Sequence, residues 1–144
     1  MSAVVTVSRR IAASADRLFD AWLDPQALAV WMRRDGSAAS TAVADPRVGG
    51  SFSITMHDPS GEFVHAGTYL VIDRPRTLEF TWRSHATHRV DSVVRVSFEP
   101  DGDATLVEVR HERLPDAEAV RLHAEGWTEI MSRFAGLYTE GEAA

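Results

Sequence analysis

The most constraining feature of this chain is a series of short β-rich runs that extends from Ser40 to His111 and is punctuated by turn residues. Residues that preset or tolerate turn dihedral angles cluster at 46–50, 58–61, 73–76 and 99–103. Strands are predicted between these clusters, near 40–45, 51–57, 62–72, 77–83, 90–98 and 104–112. Because no helical segment separates the runs, the pattern indicates an antiparallel meander rather than parallel strands joined by helices.

Strict alternation within these strands predicts one buried face and one wet face. The apolar frames are Leu78, Phe80 and Trp82 in one strand and Val94, Val96 and Phe98 in the next. In the last strand, His111 shares its frame with Val107 and Val109, whereas Glu108 and Arg110 occupy the other frame. Because the charged frame should face water, we expect His111 to point inward.

Helices are predicted on both sides of this meander. After a first strand at 4–11, Ser14 can cap a short helix, and Pro25 suits the first turn of a second one. A helix of about six turns is predicted to reach Tyr138 and to end at Gly141. Its apolar stripe consists of Val120, His123, Trp127, Ile130, Met131, Phe134, Leu137 and Tyr138.

Composition and charge predict one cytoplasmic domain that spans residues 1–144. The net charge is −6, and no run of Lys or Arg provides the basic surface that nucleic acid requires. The apolar stretches are shorter than the ~20 residues of a membrane span, and no basic, then apolar, leader begins the chain. The chain contains no cysteine, so disulfides and cysteine-ligated zinc are excluded.

Four stretches carry a resemblance to a known family, and they lie at 45–52, 67–69, 75–82 and 123–127. In order and spacing they resemble the signature stretches of the family named after the heat-shock protein 90 ATPase activator, over nearly the whole chain. The resemblance implies the helix-grip fold of START and Bet v-type proteins, which is of the α+β class. That fold has a curved seven-stranded antiparallel sheet, two short helices after the first strand and a long C-terminal helix over the sheet.

The same resemblance implies a cavity between the sheet and the last helix. Chaperone activation is not carried over, because in the eukaryotic activator a second domain contacts the chaperone and 144 residues have no room for both. The predicted ligand-binding residues are Trp31, Phe52, Met56, His65, Tyr69, Phe80, Trp82, Val94, Val96, Val109, His111, His123, Trp127, Met131 and Phe134. Pockets have such a composition, but on the residues alone a filled core is the stronger interpretation, and the resemblance reverses that preference.

The inward frame of the strand at 62–72 stays open. Its first frame contains Phe63, His65, Gly67 and Tyr69, and its second contains Val64, Ala66, Thr68, Leu70 and Ile72. Both frames are largely apolar, and a bulge within so long a strand can switch the frame midway.

Three classes of function remain compatible with these residues. The first is a protein that binds a small hydrophobic molecule, such as a lipid or an aromatic or polyketide-like compound, and this interpretation is preferred over an enzyme. The second is an enzyme of the cyclase or dehydratase type that uses His111 or His123 as its acid or base. The third is a module that binds a chaperone or another partner protein through an exposed apolar patch.

No metal or cofactor is predicted. His85 and His88 have a spacing that suits metal ligation, but they lie in a polar loop without a second ligand pair nearby.

Edge strands and the aromatic content are compatible with a homodimer.

Overall fold

The sheet and the helices follow the order that the sequence predicts. The computed structural model describes residues 3–34 and 36–138. Its strands are β1 (Ala3–Ile11), β2 (Ala38–Ala44), β3 (Ser51–Asp58), β4 (Gly61–Asp73), β5 (Thr77–Trp82), β6 (Ser92–Asp101) and β7 (Ala104–Leu114). Its α-helices are α1 (Ala15–Leu23), α2 (Pro25–Trp31) and α3 (Ala117–Gly136), and a 3₁₀ turn covers His85–Thr87. The seven strands form one antiparallel sheet in the order β1-β7-β6-β5-β4-β3-β2, which confirms the predicted α+β helix-grip fold.

Side-chain caps set the start of each α-helix. Ser14 Oγ accepts a hydrogen bond from the Arg17 amide, and Asp24 accepts one from the Gln26 amide with Pro25 at the first helical position. Asp116 caps α3 by accepting from the Ala119 amide at 2.8 Å. These bonds satisfy amides that have no partner within the helix.

The C-terminal end of α3 differs from the prediction. The helix ends at Gly136, two residues before Tyr138, because the amides of Leu137 and Tyr138 turn to the carbonyls of Phe134 and Ala135, three residues back. Leu137 is 45% exposed and therefore does not belong to the buried stripe. Gly141, the predicted end of the helix, lies outside the described residues.

A bulge in β4 resolves the open question about its inward frame. Phe63, His65, Gly67 and Tyr69 face inward up to an irregularity between Tyr69 and Val71. Beyond it, Ile72 pairs with Leu78 and packs against the core. The first frame therefore holds in most of the strand, and the bulge brings one residue of the second frame inward.

Gly67 allows β4 and β5 to approach closely beside this bulge. A Cβ atom at this position would lie 1.8 Å from the Thr81 carbonyl oxygen, so no other residue fits without movement of the backbone. The next amide, that of Thr68, bonds the Thr81 hydroxyl at 2.9 Å instead of continuing the ladder. This geometry curls the sheet beneath α3.

Large aromatic side chains fill one half of the space between the sheet and the helices. Trp22 of α1 packs edge-on against Trp31 of α2 with ring centroids 4.7 Å apart, and Trp31 packs on Phe134 of α3 at 4.3 Å. Trp22 also stacks on Trp127 at 6.1 Å and lies 6.4 Å from Phe80. This half of the molecule is therefore a packed core.

The connection from β5 to β6 is longer than predicted. His88 and Arg89 follow the 3₁₀ turn with φ of 55° and 62°, in the left-handed region. They carry the chain around the end of the sheet, so β6 begins at Ser92 rather than at residue 90.

Candidate functional site

A cavity of about 300 Å³ opens between α3 and the end of the sheet that carries β3, β4 and β5. The 3₁₀ turn closes one side, and the chain that follows α2 contributes to the mouth. The lining residues are Arg34, Ser37, Met56, Asp58, Phe63, His65, Trp82, Ser84, His85, Ala86, Leu122, His123, Gly126, Trp127 and Ile130. The wall is mostly apolar with a few polar groups, which is the composition of small-molecule pockets.

Five of the predicted ligand-binding residues line this cavity, namely Met56, His65, Trp82, His123 and Trp127. The other ten do not line it: Trp31, Phe52, Tyr69, Phe80, Val94, Val96, Val109, His111, Met131 and Phe134. They are buried in the core, as their inward frames predict. They pack against one another in the core rather than around the larger cavity, and their role in ligand binding stays a prediction.

A second void of about 10 Å³ lies deeper in the core, between Phe52, Tyr69 and Phe80. It has room for about one water molecule. Trp82 lines both this void and the larger cavity. The tryptophan ring therefore separates the filled half of the molecule from the open half.

Sequence reasoning missed the residues that shape the mouth. Arg34, Ser37, Asp58, Ser84, His85 and Ala86 reach the cavity from loops and strand ends, where periodicity carries no information. Phe63 belongs to one of the two alternative frames of β4, and Ile130 belongs to the predicted stripe of α3. For these two, the sequence contained a usable signal.

His111 is the centre of a buried hydrogen-bonded chain that crosses from the sheet to α3. The Trp127 indole donates its Nε1 hydrogen to His111 Nδ1 at 2.9 Å, and His111 Nε2 lies 2.6 Å from Ser92 Oγ. The Ser92 hydroxyl in turn donates to the Trp82 carbonyl at 2.7 Å. Because an indole nitrogen can only donate, Nδ1 of His111 must be unprotonated and Nε2 must carry the hydrogen.

Burial enforces this neutral form of His111. Its side chain is fully buried, and burial, with a further contribution from His123, lowers its pKa to about 2. Both ring nitrogens are occupied by Trp127 and Ser92. The structure therefore does not bring this predicted acid or base candidate into the cavity; His111 positions Trp127 instead.

His123 is the predicted candidate that does reach the cavity. Its Nδ1 donates to the Ala119 carbonyl at 2.7 Å, one turn earlier in α3. The ring meets His111 edge-to-face with centroids 4.7 Å apart. Burial lowers the pKa of His123, and the nearby Arg34 charge lowers it further, so the neutral imidazole predominates at pH 7.

His65 lies on the opposite, sheet-side wall. Its Nδ1 lies 3.1 Å from the Phe63 carbonyl, and its ring is 5.1 Å from that of Trp82. Burial, followed by the charge of His123, lowers the pKa of His65 to about 4. The cavity thus contains two neutral imidazoles beside a tryptophan face.

A charged pair stands at the mouth of the cavity. Arg34 binds Glu129 of α3 in a bidentate arrangement, with nitrogen to oxygen distances of 3.0 and 2.6 Å. The Arg34 side chain passes over Gly126, where an added Cβ would lie 3.6 Å from Arg34 Nη1. Asp58 lies nearby, and hydrogen bonds from Ser60 lower the pKa of that carboxyl group. The mouth is therefore polar and carries both signs of charge.

The two histidines of the loop between β5 and β6 do not act together. His85 lines the cavity, whereas His88 Nε2 lies 2.8 Å from Asp116 Oδ2 at the start of α3. Within residues 3–34 and 36–138, no three His, Asp or Glu side chains are arranged to hold a metal ion. No helix in that part of the chain is long and apolar enough to cross a membrane.

A curled sheet gripped by a long helix, with a cavity at one end, defines a module of the helix-grip class that binds a ligand or a partner. The family model described as Activator of Hsp90 ATPase homolog 1-like protein matches residues 12–139. The chain therefore belongs to that family. Comparison with curated protein sequences gave no match.

Solved structures with the same fold come from bacteria and from a eukaryotic parasite. A protein from Chromobacterium violaceum is 24% identical, with a TM-score of 0.83 over 94% of this chain and 96% of that one. A protein of the same family from Silicibacter pomeroyi is 26% identical, with a TM-score of 0.78 and coverages of 94% and 96%. A heat-shock protein 90 activator from Plasmodium falciparum is 20% identical, with a TM-score of 0.76 and coverages of 94% and 97%.

Proposed function

We propose that the protein binds a small, largely aromatic molecule in the cavity beyond Trp127. The observation that carries this proposal is an open space beside the paired rings of Trp82 and Trp127, next to two neutral histidines, in a protein whose remaining interior is tightly packed. An aromatic ligand would stack on these rings, since aromatic pairs add to the free energy of apolar burial. Inward imidazoles would orient its polar end.

The volume of the cavity narrows the classes of ligand that the sequence left open. About 300 Å³ is at the lower end of the range for small-molecule pockets, roughly 300–1,000 Å³. A compact bicyclic or tricyclic compound suits this volume, whereas a long acyl chain would extend through the mouth. Among the lipid, aromatic and polyketide-like ligands that the sequence predicts, the aromatic class is therefore favoured.

An enzymatic role would rest on His123. It is the one of the two predicted acid or base candidates that lines the cavity, and Trp127 and Ser92 occupy both nitrogens of His111. The neutral state of His123 suits a base more than an acid at pH 7. The proposal is nevertheless a binding function, because nothing beside His123 identifies a bond to be broken.

Gly126 offers a direct test because it lines the cavity without a side chain. Gly126→Ala would add one carbon at ordinary contact distance from Arg34, whereas Gly126→Leu would extend a branched side chain into the cavity. We expect the alanine variant to bind like the wild type and the leucine variant to lose at least tenfold in affinity. Both substitutions favour the helical conformation over glycine by somewhat under 1 kcal/mol.

The measurement combines native mass spectrometry for a co-purified compound with a thermal-shift screen of aromatic and polyketide-like molecules. A ligand at ten times its dissociation constant stabilises by about 1.4 kcal/mol, or about 4 °C for a protein of this size. Binding should also quench the fluorescence of Trp82 and Trp127. A compound that stabilises Gly126→Leu as much as the wild type binds elsewhere and refutes the proposal.

The cytoplasmic location, the single ligand-binding domain over 1–144 and the homodimer remain predictions from the sequence. Light scattering of the purified protein measures the last of these. If the protein instead binds a partner protein, native mass spectrometry should detect a complex whose stability does not depend on Gly126.

A further inference from the structure

His123 presents a hydrogen-bond acceptor to the cavity. Its Nδ1 lies 2.7 Å from the Ala119 carbonyl oxygen, and a carbonyl can only accept, so Nδ1 carries the hydrogen. In a neutral imidazole, the other nitrogen is then a lone-pair acceptor. Among the described residues, none donates a hydrogen bond to Nε2 of His123, although the side chain is only 8% exposed.

The surroundings of His123 keep that acceptor from becoming a donor. His111 of β7 packs against its ring, and the charged and titratable groups that line the cavity with it are His65, His85, Asp58 and Arg34. The charge that acts on His123 is that of Arg34, which opposes protonation. Burial acts in the same direction. A ligand group that meets Nε2 therefore meets a lone pair rather than an N–H.

The rest of the inner wall does not compete for this role. The ring of His65 lies beside the face of Trp82 and is held against the sheet by hydrogen bonds to the backbone of both Phe63 and Ile54. The Ser84 hydroxyl oxygen accepts from the Ala86 amide. Trp127 and Ile130 supply apolar surface, as does the ring of Trp82, whose Nε1 is buried beneath that surface without a hydrogen-bond partner. One acceptor set in an aromatic wall selects for a ring that carries one donor.

We infer that the ligand is an aromatic compound whose phenolic or enolic hydroxyl donates a hydrogen bond to Nε2 of His123. This inference rests on the proposed function, since it requires a ligand in the cavity. It also disfavours two chemistries. A carboxylate or a bare carbonyl would place a lone pair against a lone pair, and an unsubstituted hydrocarbon would leave the buried acceptor without a partner.

Three matched probes test the inference: 2-naphthol, its methyl ether 2-methoxynaphthalene, and naphthalene. They share one ring system, and only the first can donate. Dissociation constants are measured by tryptophan quenching at pH 7 for the wild type, His123→Phe and Gly126→Leu. We expect naphthol to bind the wild type at least tenfold more tightly than the ether, and His123→Phe to reduce that ratio to about one.

The outcomes separate this inference from the proposed function. If none of the probes binds, or if all bind Gly126→Leu as well as the wild type, the cavity is not the ligand site and both fail. If naphthol and its ether bind the wild type equally, the ligand site stands and the hydroxyl preference is refuted. If the preference for naphthol persists in His123→Phe, another residue accepts the hydrogen bond from the hydroxyl and the assignment to His123 is wrong.

The ratio of the dissociation constants of 2-methoxynaphthalene and 2-naphthol in the wild type is informative even if His123→Phe folds poorly. His123→Gln supplies a further variant, because its amide oxygen can accept where Nε2 did. A partly retained preference for naphthol in this variant supports the inference, and complete loss in His123→Gln with full retention in His123→Phe overturns it.

Discussion

The buried histidines predict that the protein loses stability between pH 7 and pH 5. Burial lowers the pKa of His65 to about 4 and that of His111 to about 2, whereas an exposed histidine has a pKa of 6.5. Between those values the unfolded chain binds more protons than the folded one, so stability falls as the pH falls. The contribution is complete above pH 6.5 and is lost progressively toward pH 4 for His65 and toward pH 2 for His111.

The size of this loss follows from the linkage relation. At pH 5 the unfolded histidines are about 1.5 pH units below their pKa, and each unit corresponds to about 1.4 kcal/mol. Each of the two histidines therefore destabilises the fold by about 2 kcal/mol, or roughly 4 kcal/mol together. For a chain of this length the melting temperature should fall by about 10 °C. The carboxyl groups of Asp20, Asp58 and Asp116 also have a lowered pKa, but their usual pKa is 3.8. Their protonation therefore changes the stability mainly below pH 5.

Thermal unfolding, followed by circular dichroism at pH 7, 6 and 5, measures this loss of stability. The variant His111→Gln shows how much of the loss is due to His111. Glutamine can accept from Trp127 and donate to Ser92, but it does not titrate, so the stability of this variant should depend on pH less steeply than that of the wild type. Ser92→Ala is the matched control, because it disturbs the same chain of hydrogen bonds and keeps the histidine. An unchanged slope in His111→Gln would refute the reasoning.

Two further substitutions test the packing that surrounds the cavity. Gly67→Ala should destabilise by roughly 3 kcal/mol in urea unfolding, because its Cβ meets the Thr81 carbonyl; Gly126→Ala, which meets nothing closer than 3.6 Å, should not destabilise. Trp127→Phe should cost about 1–3 kcal/mol by leaving Nδ1 of His111 buried without a donor. A double-mutant cycle with His111→Leu, which cannot accept a hydrogen bond, should show coupling, and additive effects would contradict the assigned hydrogen bond.

Local periodicity predicted the sheet well because the side-chain period of a strand depends only on neighbouring residues. His111, Val94 and Val96 are fully buried, as their frames in β6 and β7 predict. The frame of β4 could not be chosen in the same way. It depends on a bulge after Tyr69 and on the contact between Gly67 and the next strand, which is a property of the folded pair.

The position of the cavity could not be predicted from the sequence for a related reason. The apolar frames predict which side chains face inward, but not which of them touch. Trp22 and Trp31 come from two short helices and meet Phe134 of α3. These rings fill one half of the space between the sheet and the helices, and the other half stays open. The mouth residues Arg34 and His85 lie outside regular strands and helices, where no period constrains them.

The hydrogen-bonded chain through His111 constrains how a ligand reaches the cavity. It runs from the Trp82 carbonyl through Ser92 and His111 to Trp127, and so ties α3 to β5, β6 and β7 at the inner end of the cavity. Swinging α3 away from the sheet would break the bond between Trp127 and His111 where no water replaces it, which is costly. The Arg34–Glu129 pair at the mouth is partly exposed, and water can replace its contacts at little cost. We therefore expect a ligand to enter beside Arg34 and the 3₁₀ turn, with α3 and the wall formed by Trp127 held in place.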